Sequence, residues 1–78
     1  MCTGKRYRIE STLNLGRPHT AVEDRGPYCS ETAEYILRQH GHRCGGKFSV
    51  VNGTMTMTAL VDMGDGSHAM LTYKAIEV

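Results

Sequence analysis

The sequence has no tryptophan, one phenylalanine and two prolines. Its basic and acidic residues, 9 and 8, leave a formal charge of only +1. That near-balance excludes a strongly polyanion-seeking protein. Stacking platforms for single-stranded nucleic acid need surface aromatics, and only Tyr7, Tyr28 and Tyr35 are placed to offer them. No apolar run approaches the roughly 18–20 residues that cross a bilayer, and no apolar stretch follows the charged start, so neither membrane span nor signal peptide is expected. There are 3 cysteines, Cys2, Cys29 and Cys44. An odd count without a signal peptide points to free thiols in a reducing cytoplasm.

What is present fits one small globular domain over residues 1–78, with 40% hydrophobic and 22% charged residues. Lys5 to Leu13 alternates, with Tyr7, Ile9, Ser11 and Leu13 on one face and charged or polar residues on the other, which predicts a half-buried strand. Asn14 to Ser30 carries Gly16, Pro18, Gly26 and Pro27 and reads as a long, partly ordered loop. Thr20-Ala21-Val22-Glu23 inside it matches a capping box, so one helical turn is expected there. Ser30 to His40 predicts a helix, with Ser30 as N-cap, Gly41 as C′ residue and an apolar stripe of Ala33, Ile36, Leu37 and His40.

After a basic, glycine-containing connection at His42 to Gly46, three alternating runs predict an antiparallel meander: Lys47–Val51, Thr54–Met63 and His68–Ile76. Asn52-Gly53 predicts a type I′ turn that pairs Val51 with Thr54. In the next hairpin a three-residue loop, Gly64-Asp65-Gly66, sets Ala69, Leu71 and Tyr73 beside Val61, Ala59 and Met57; a two-residue loop would put Lys74 beside Met57. A type I turn with Gly66 left-handed suits the longer loop.

The expected class is therefore α+β: strand, loop, one helix and a three-stranded antiparallel meander, with the helix on one face of the sheet. The expected core is Ile9, Leu13, Ala33, Ile36, Leu37, Phe48, Val50, Met55, Met57, Ala59, Val61, Leu71, Tyr73 and Ala75. The place of the first strand, beside the second or the fourth, stays open. The other sheet face carries threonines with Val51, Leu60, Met70 and Ile76 among them, and Leu60 falls opposite Met70. An uncovered face with apolar residues near its centre is a candidate contact surface.

Chemistry-bearing patterns are few. His40-Gly41-His42-Arg43-Cys44, with Cys29 or His19, is the one cluster with metal-ligand residue types, but it lacks a CxxC and paired histidines at ligand spacing. No metal or cofactor is expected. Cys29 precedes a helix N-terminus without a partner histidine at any telling spacing. The glycines at 41, 45 and 46 follow a helix rather than precede one, so a phosphate would meet the wrong end of the dipole. No carboxylate pair, triad or cofactor motif indicates an enzyme.

Charge is placed unevenly. Lys5, Arg6 and Arg8 form one basic stretch and Arg38, His40, His42, Arg43 and Lys47 another, around the acidic Glu23, Asp24, Glu31 and Glu34. A partner protein of complementary charge fits this pattern more easily than a polyanion.

In general type, though in no motif, the chain resembles the small single-domain inhibitors that phages and mobile elements encode, such as anti-CRISPR proteins. The resemblance rests on size and on a helix over an antiparallel sheet, and carries no residues over. It implies a cytoplasmic, non-enzymatic, protein-binding module that inhibits a host nucleic-acid-processing or defence complex. The expected partner-binding residues are Arg38, Arg43, Lys47, Glu23, Asp24, Tyr28, Leu60 and Met70. One alternative is direct nucleic-acid binding through Lys5, Arg6, Arg8, Arg38 and Arg43; another is a Cys/His metal-binding domain; a homodimer through the sheet face is a further possibility.

Overall fold

A computed structural model describes residues 4–78; Cys2 lies outside the described residues. Six elements follow one another: β1 (Tyr7–Asn14), β2 (Pro18–Tyr28), α1 (Ser30–Cys44), β3 (Lys47–Val51), β4 (Thr54–Asp62) and β5 (His68–Glu77). The strands form one antiparallel sheet in the order β2-β1-β5-β4-β3, with α1 packed on one face. The α+β class is as expected. The sheet has five strands where the sequence indicated a strand and a three-stranded meander, because residues 18–28 are strand and not loop.

Pairing with β1 explains that difference. Thr20 and Glu23, read as the ends of a capping box, instead bond across the ladder: Thr20 Oγ1 lies 3.0 Å from Thr12 Oγ1, and Ser11 Oγ donates to Glu23 Oε1 at 3.1 Å. As an edge strand β2 is largely exposed on both faces, so it shows none of the alternation that marks a half-buried strand. Pro18 is its first residue, and Pro27 falls in the irregular stretch of the β1–β2 register between the Ile9–Asp24 and Tyr7–Tyr28 pairs, where the ladder tolerates it. β1 lies between β2 and β5, which settles the open question of its place.

The helix is longer than expected. Cys29, with extended backbone, is the N-cap and has no side-chain cap bond; Ser30 is already helical. At the other end Gly45, at φ 69°, takes the left-handed C′ position predicted for Gly41. Gly41 is buried inside α1 against Met57, so the inward stripe runs on through Cys44. The close approach continues at Gly46, where a Cβ would overlap Met57 Sδ and lie 2.9 Å from the Thr58 carbonyl oxygen. His42 and Arg43 therefore belong to the last helical turn and not to a connecting loop.

Both expected hairpin registers are found. Val51 pairs with Thr54 across Asn52 (φ 52°) and Gly53 (φ 78°), the signs of a type I′ turn. In the second hairpin Val61 pairs with Ala69, Leu60 with Met70 and Met57 with Tyr73. Its loop is not a type I turn with one left-handed residue, because Gly64 and Gly66 both have positive φ, 85° and 88°. Asp62 Oδ1 accepts from the Gly64 amide at 2.8 Å and Asp65 Oδ1 from the Ser67 amide at 2.9 Å and from the Ser67 hydroxyl, which shapes the loop. Those bonds from Ser67 hold the Asp65 carboxyl below its ordinary range.

The core lies between α1 and the sheet. Ile9, Leu37 and Met57 are fully buried, with Ala33, Ala59 and Ala75 around them and Phe48, Met55, Tyr73 and Ile36 packed at the margin. A fifteen-residue helix is about 22 Å long. The molecule measures 44 Å along its longest axis, so α1 covers only part of the sheet. Leu13, Val61 and Leu71 are thus half-buried rather than core, while the small Ala69 is buried among its neighbours. Val50, expected inside, is 60% exposed, because β3 is an edge strand with no neighbour on its outer side.

Candidate interaction surface

The residues expected to bind a partner fall into three places. Arg38 and Arg43 lie on α1, and Lys47 opens β3. Glu23, Asp24 and Tyr28 lie on β2, at the opposite edge of the sheet. Four strand spacings, about 19 Å, separate the two edges. The charge asymmetry in the sequence thus becomes a molecule with acidic residues at one sheet edge and a basic group at the other.

The β2 residues are engaged within the chain. Besides the Glu23 contact, Tyr28 donates its hydroxyl to Asp24 Oδ2 at 2.7 Å, and Asp24 Oδ1 accepts from the Gly26 amide at 3.2 Å. The bond to the Asp24 carboxylate, with smaller contributions from desolvation and the same negative charge, raises the Tyr28 pKa. These residues close the β2 end of the β1–β2 ladder beside the core, where Tyr28 packs.

The basic edge is differently built. The Arg38 guanidinium lies 4.3 Å over the Phe48 ring, and its Nε donates to Glu34 Oε2 at 3.0 Å, one turn earlier. Arg38, Gly41, His42, Gly46, Phe48 and Met57 line a cleft of about 130 Å³ between α1 and β3. Arg43 and Lys47 are exposed beside it. His42, Phe48 and Val50 were not among the expected contact residues. The basic run in the sequence pointed to His42, but nothing in a five-residue alternating strand marks it as an edge.

On the face turned away from α1, Leu60 and Met70 stand opposite one another, 65% and 49% exposed. Lys47 and Leu60 line one concavity with Gly45, Thr58 and Ala59, so this apolar pair joins the basic edge. The registers align Lys47, Thr58, Thr72, Thr12 and Thr20 in one row across all five strands. The next row is Leu60, Met70, Asn14 and Pro18. The surface is a hydroxyl-bearing platform with an apolar patch at one end.

The basic stretch at residues 5–8 does not join this edge. Lys5 lies 3.8 Å from Glu77, and Arg8 donates to Glu10 at 2.6 Å on β1, inside the sheet. Arg6 Nη1 donates to the Lys5 carbonyl. Arg8 is on the open face, whereas Arg38 and Arg43 are on the helix that covers the other face.

Of the possible metal ligands, His40 and Cys44 lie one turn from each other on α1, each with a contact of its own. His40 stacks on Tyr73, and the Cys44 thiol donates to the His40 carbonyl at 2.9 Å. Cys29, at the far end of α1, is disulfide-bonded, where the sequence pointed to free thiols by default and left open whether one pair oxidises; Cys44 is free. No three His, Cys, Asp or Glu residues gather around a metal-sized space among the described residues. No helix among the described residues is long and apolar enough to cross a membrane.

Comparison with protein-family models, curated proteins and solved structures finds no match for the chain.

Proposed function

We propose that the chain is a non-enzymatic protein-binding module, in general type like the small phage- and mobile-element-encoded inhibitors of host nucleic-acid-processing or defence complexes. The reading rests on one observation: Leu60 and Met70 form an exposed apolar pair on the uncovered sheet face, and Lys47 shares a concavity with Leu60. Two large apolar side chains held side by side on a rigid sheet favour burial by a partner, and a cation at the rim selects its charge. The partner surface that fits is apolar at its centre and acidic beside it. Arg43, exposed in the last turn of α1, adds to the positive charge of the chain between α1 and β3.

The test begins with a partner captured from host extract, which is then purified and titrated against the chain. Leu60→Asp with Met70→Asp is expected to weaken binding at least about tenfold while leaving the circular dichroism spectrum unchanged. The reading fails if the purified partner binds this variant as it binds the wild type. It fails equally if the chain instead retards nucleic acid with a steep salt dependence.

A further inference from the structure

We infer that the free edge of β3 accepts an extended acidic segment of the partner as a sixth strand, with a carboxylate side chain lodged in the cleft between Arg38 and His42. The inference rests on the protein-binding reading above and specifies how the partner is held.

Hydrogen-bond alternation identifies the free backbone groups. In a two-residue hairpin the pair flanking the turn exchanges both of its bonds, so Val51 and Thr54 bond to one another, as do Ser49 and Thr56 two residues on. The N–H and C=O groups of Phe48 and Val50 then point away from β4, to the side on which the sheet has no further strand among the described residues. Their side chains project to the helix side, where Val50 is exposed.

The two sheet edges differ in how they meet water. β2 carries prolines, a register shift and several charged residues, devices that discourage strand addition. β3 has the sequence Lys-Phe-Ser-Val-Val, a regular register and no proline or carboxylate. An unprotected edge is the geometry used when a peptide adds to a sheet by main-chain bonds.

Charge and shape select the guest. Arg38 lies over the Phe48 ring of this strand, His42 lines the same cleft and Lys47 opens the strand, while Glu34 is bonded to Arg38. A second copy of β3 would bring the same cations face to face across a two-fold axis, so an acidic strand is the favoured occupant over a second copy. A guest residue beside Phe48 enters the 130 Å³ cleft. Its methylene stem can rest on Phe48 and Met57 and its carboxylate can reach Arg38 and His42, which matches a glutamate better than an aliphatic residue.

The experiment uses a short peptide of alternating Glu and Val as probe, and its Lys–Val counterpart as control, with amide shifts and hydrogen exchange read by NMR on the full chain. The Glu–Val peptide is expected to shift the Phe48 and Val50 amides saturably and slow their exchange, and the Lys–Val peptide is not. Val50→Pro removes an outward N–H without touching the β4 ladder and should abolish the effect; Val50→Glu, which sets a like charge on an exposed side chain beside the acidic guest, should weaken it and is the second variant should the proline disturb folding. Arg38→Glu with Lys47→Glu should reverse the preference between the peptides.

The inference is overturned if neither peptide perturbs β3, if both do so equally, or if concentration alone protects these amides, which would mean a second copy on the edge. Leu60→Asp with Met70→Asp should leave the peptide response intact. A purified partner that loses binding to that variant yet binds Val50→Pro and Val50→Glu normally would remove the strand-addition inference and leave the proposed function standing.

Discussion

The imidazole of His40 lies flat on the ring of Tyr73, with centroids 4.3 Å apart and planes 9° from parallel. This contact fixes the last turns of α1 to β5, the central strand of the sheet. Stacked aromatic pairs contribute about 0.5–1.5 kcal/mol beyond their area. His40→Ala should therefore lower unfolding free energy by about 1 kcal/mol, seen as a lower urea midpoint at unchanged slope. A midpoint equal to that of the wild type would show that the stack contributes nothing.

Tyr73 also gives the molecule an alkaline limit. Burial, and then the charges of Glu23 and Cys44, raise its hydroxyl above the ordinary 10.0. The folded state thus holds this proton more tightly than the unfolded chain. The resulting stability is complete below pH 10 and is lost as pH rises through the raised value. Denaturation curves across that range should show the loss in the wild type and a smaller one in Tyr73→Phe. An identical loss in both would assign the alkaline transition to other groups.

The crossing of α1 over β4 depends on the absence of a side chain at Gly46. A Cβ there meets Met57 Sδ and the Thr58 carbonyl, the second of which is backbone and cannot swing aside. Gly46→Ala is expected to cost about 1–3 kcal/mol through this overlap. Gly41→Ala, whose Cβ would come 3.3 Å from the flexible Met57 Cγ, should cost less. Thermal unfolding of the two variants compares them directly.

Leu37 and Val50 separate core from edge. Leu37 is fully buried, and truncation to Ala should cost about 2–5 kcal/mol. Val50 is largely exposed, and Val50→Ala should change stability by less than about 0.5 kcal/mol. Equal losses in urea titrations would mean that β3 is covered in solution, and would point to a partner already on that edge.

Local chemistry made much of the second half of the fold legible. Asn52-Gly53 fixes the β3–β4 register because its two residues adopt positive φ at little cost, and the requirement that Met57 face Tyr73 rather than Lys74 fixes the β4–β5 register. The pairing of Leu60 with Met70 follows from those same constraints. β2 was not legible. Its exposed edge position removes the alternation that identifies a strand, and its Thr-x-x-Glu spacing serves ladder contacts as well as a helix cap. The helix end was misplaced by four residues, because Gly41 and Gly45 look alike in sequence and only contact with Met57 assigns one to packing and the other to the left-handed cap.

The class, the helix, the meander registers and the uneven distribution of charge are legible along the chain, since each follows from near neighbours in sequence. That β1 lies between β2 and β5, and hence that β2 and β3 are the edges, emerges from the folded arrangement alone. Strand order is a property of contacts between distant segments, and nothing in the local pattern of Lys47–Val51 distinguishes an edge from an interior strand. That order turned Val50 outward, separated Glu23 and Asp24 from Arg38, Arg43 and Lys47, and set Lys47 in one concavity with Leu60.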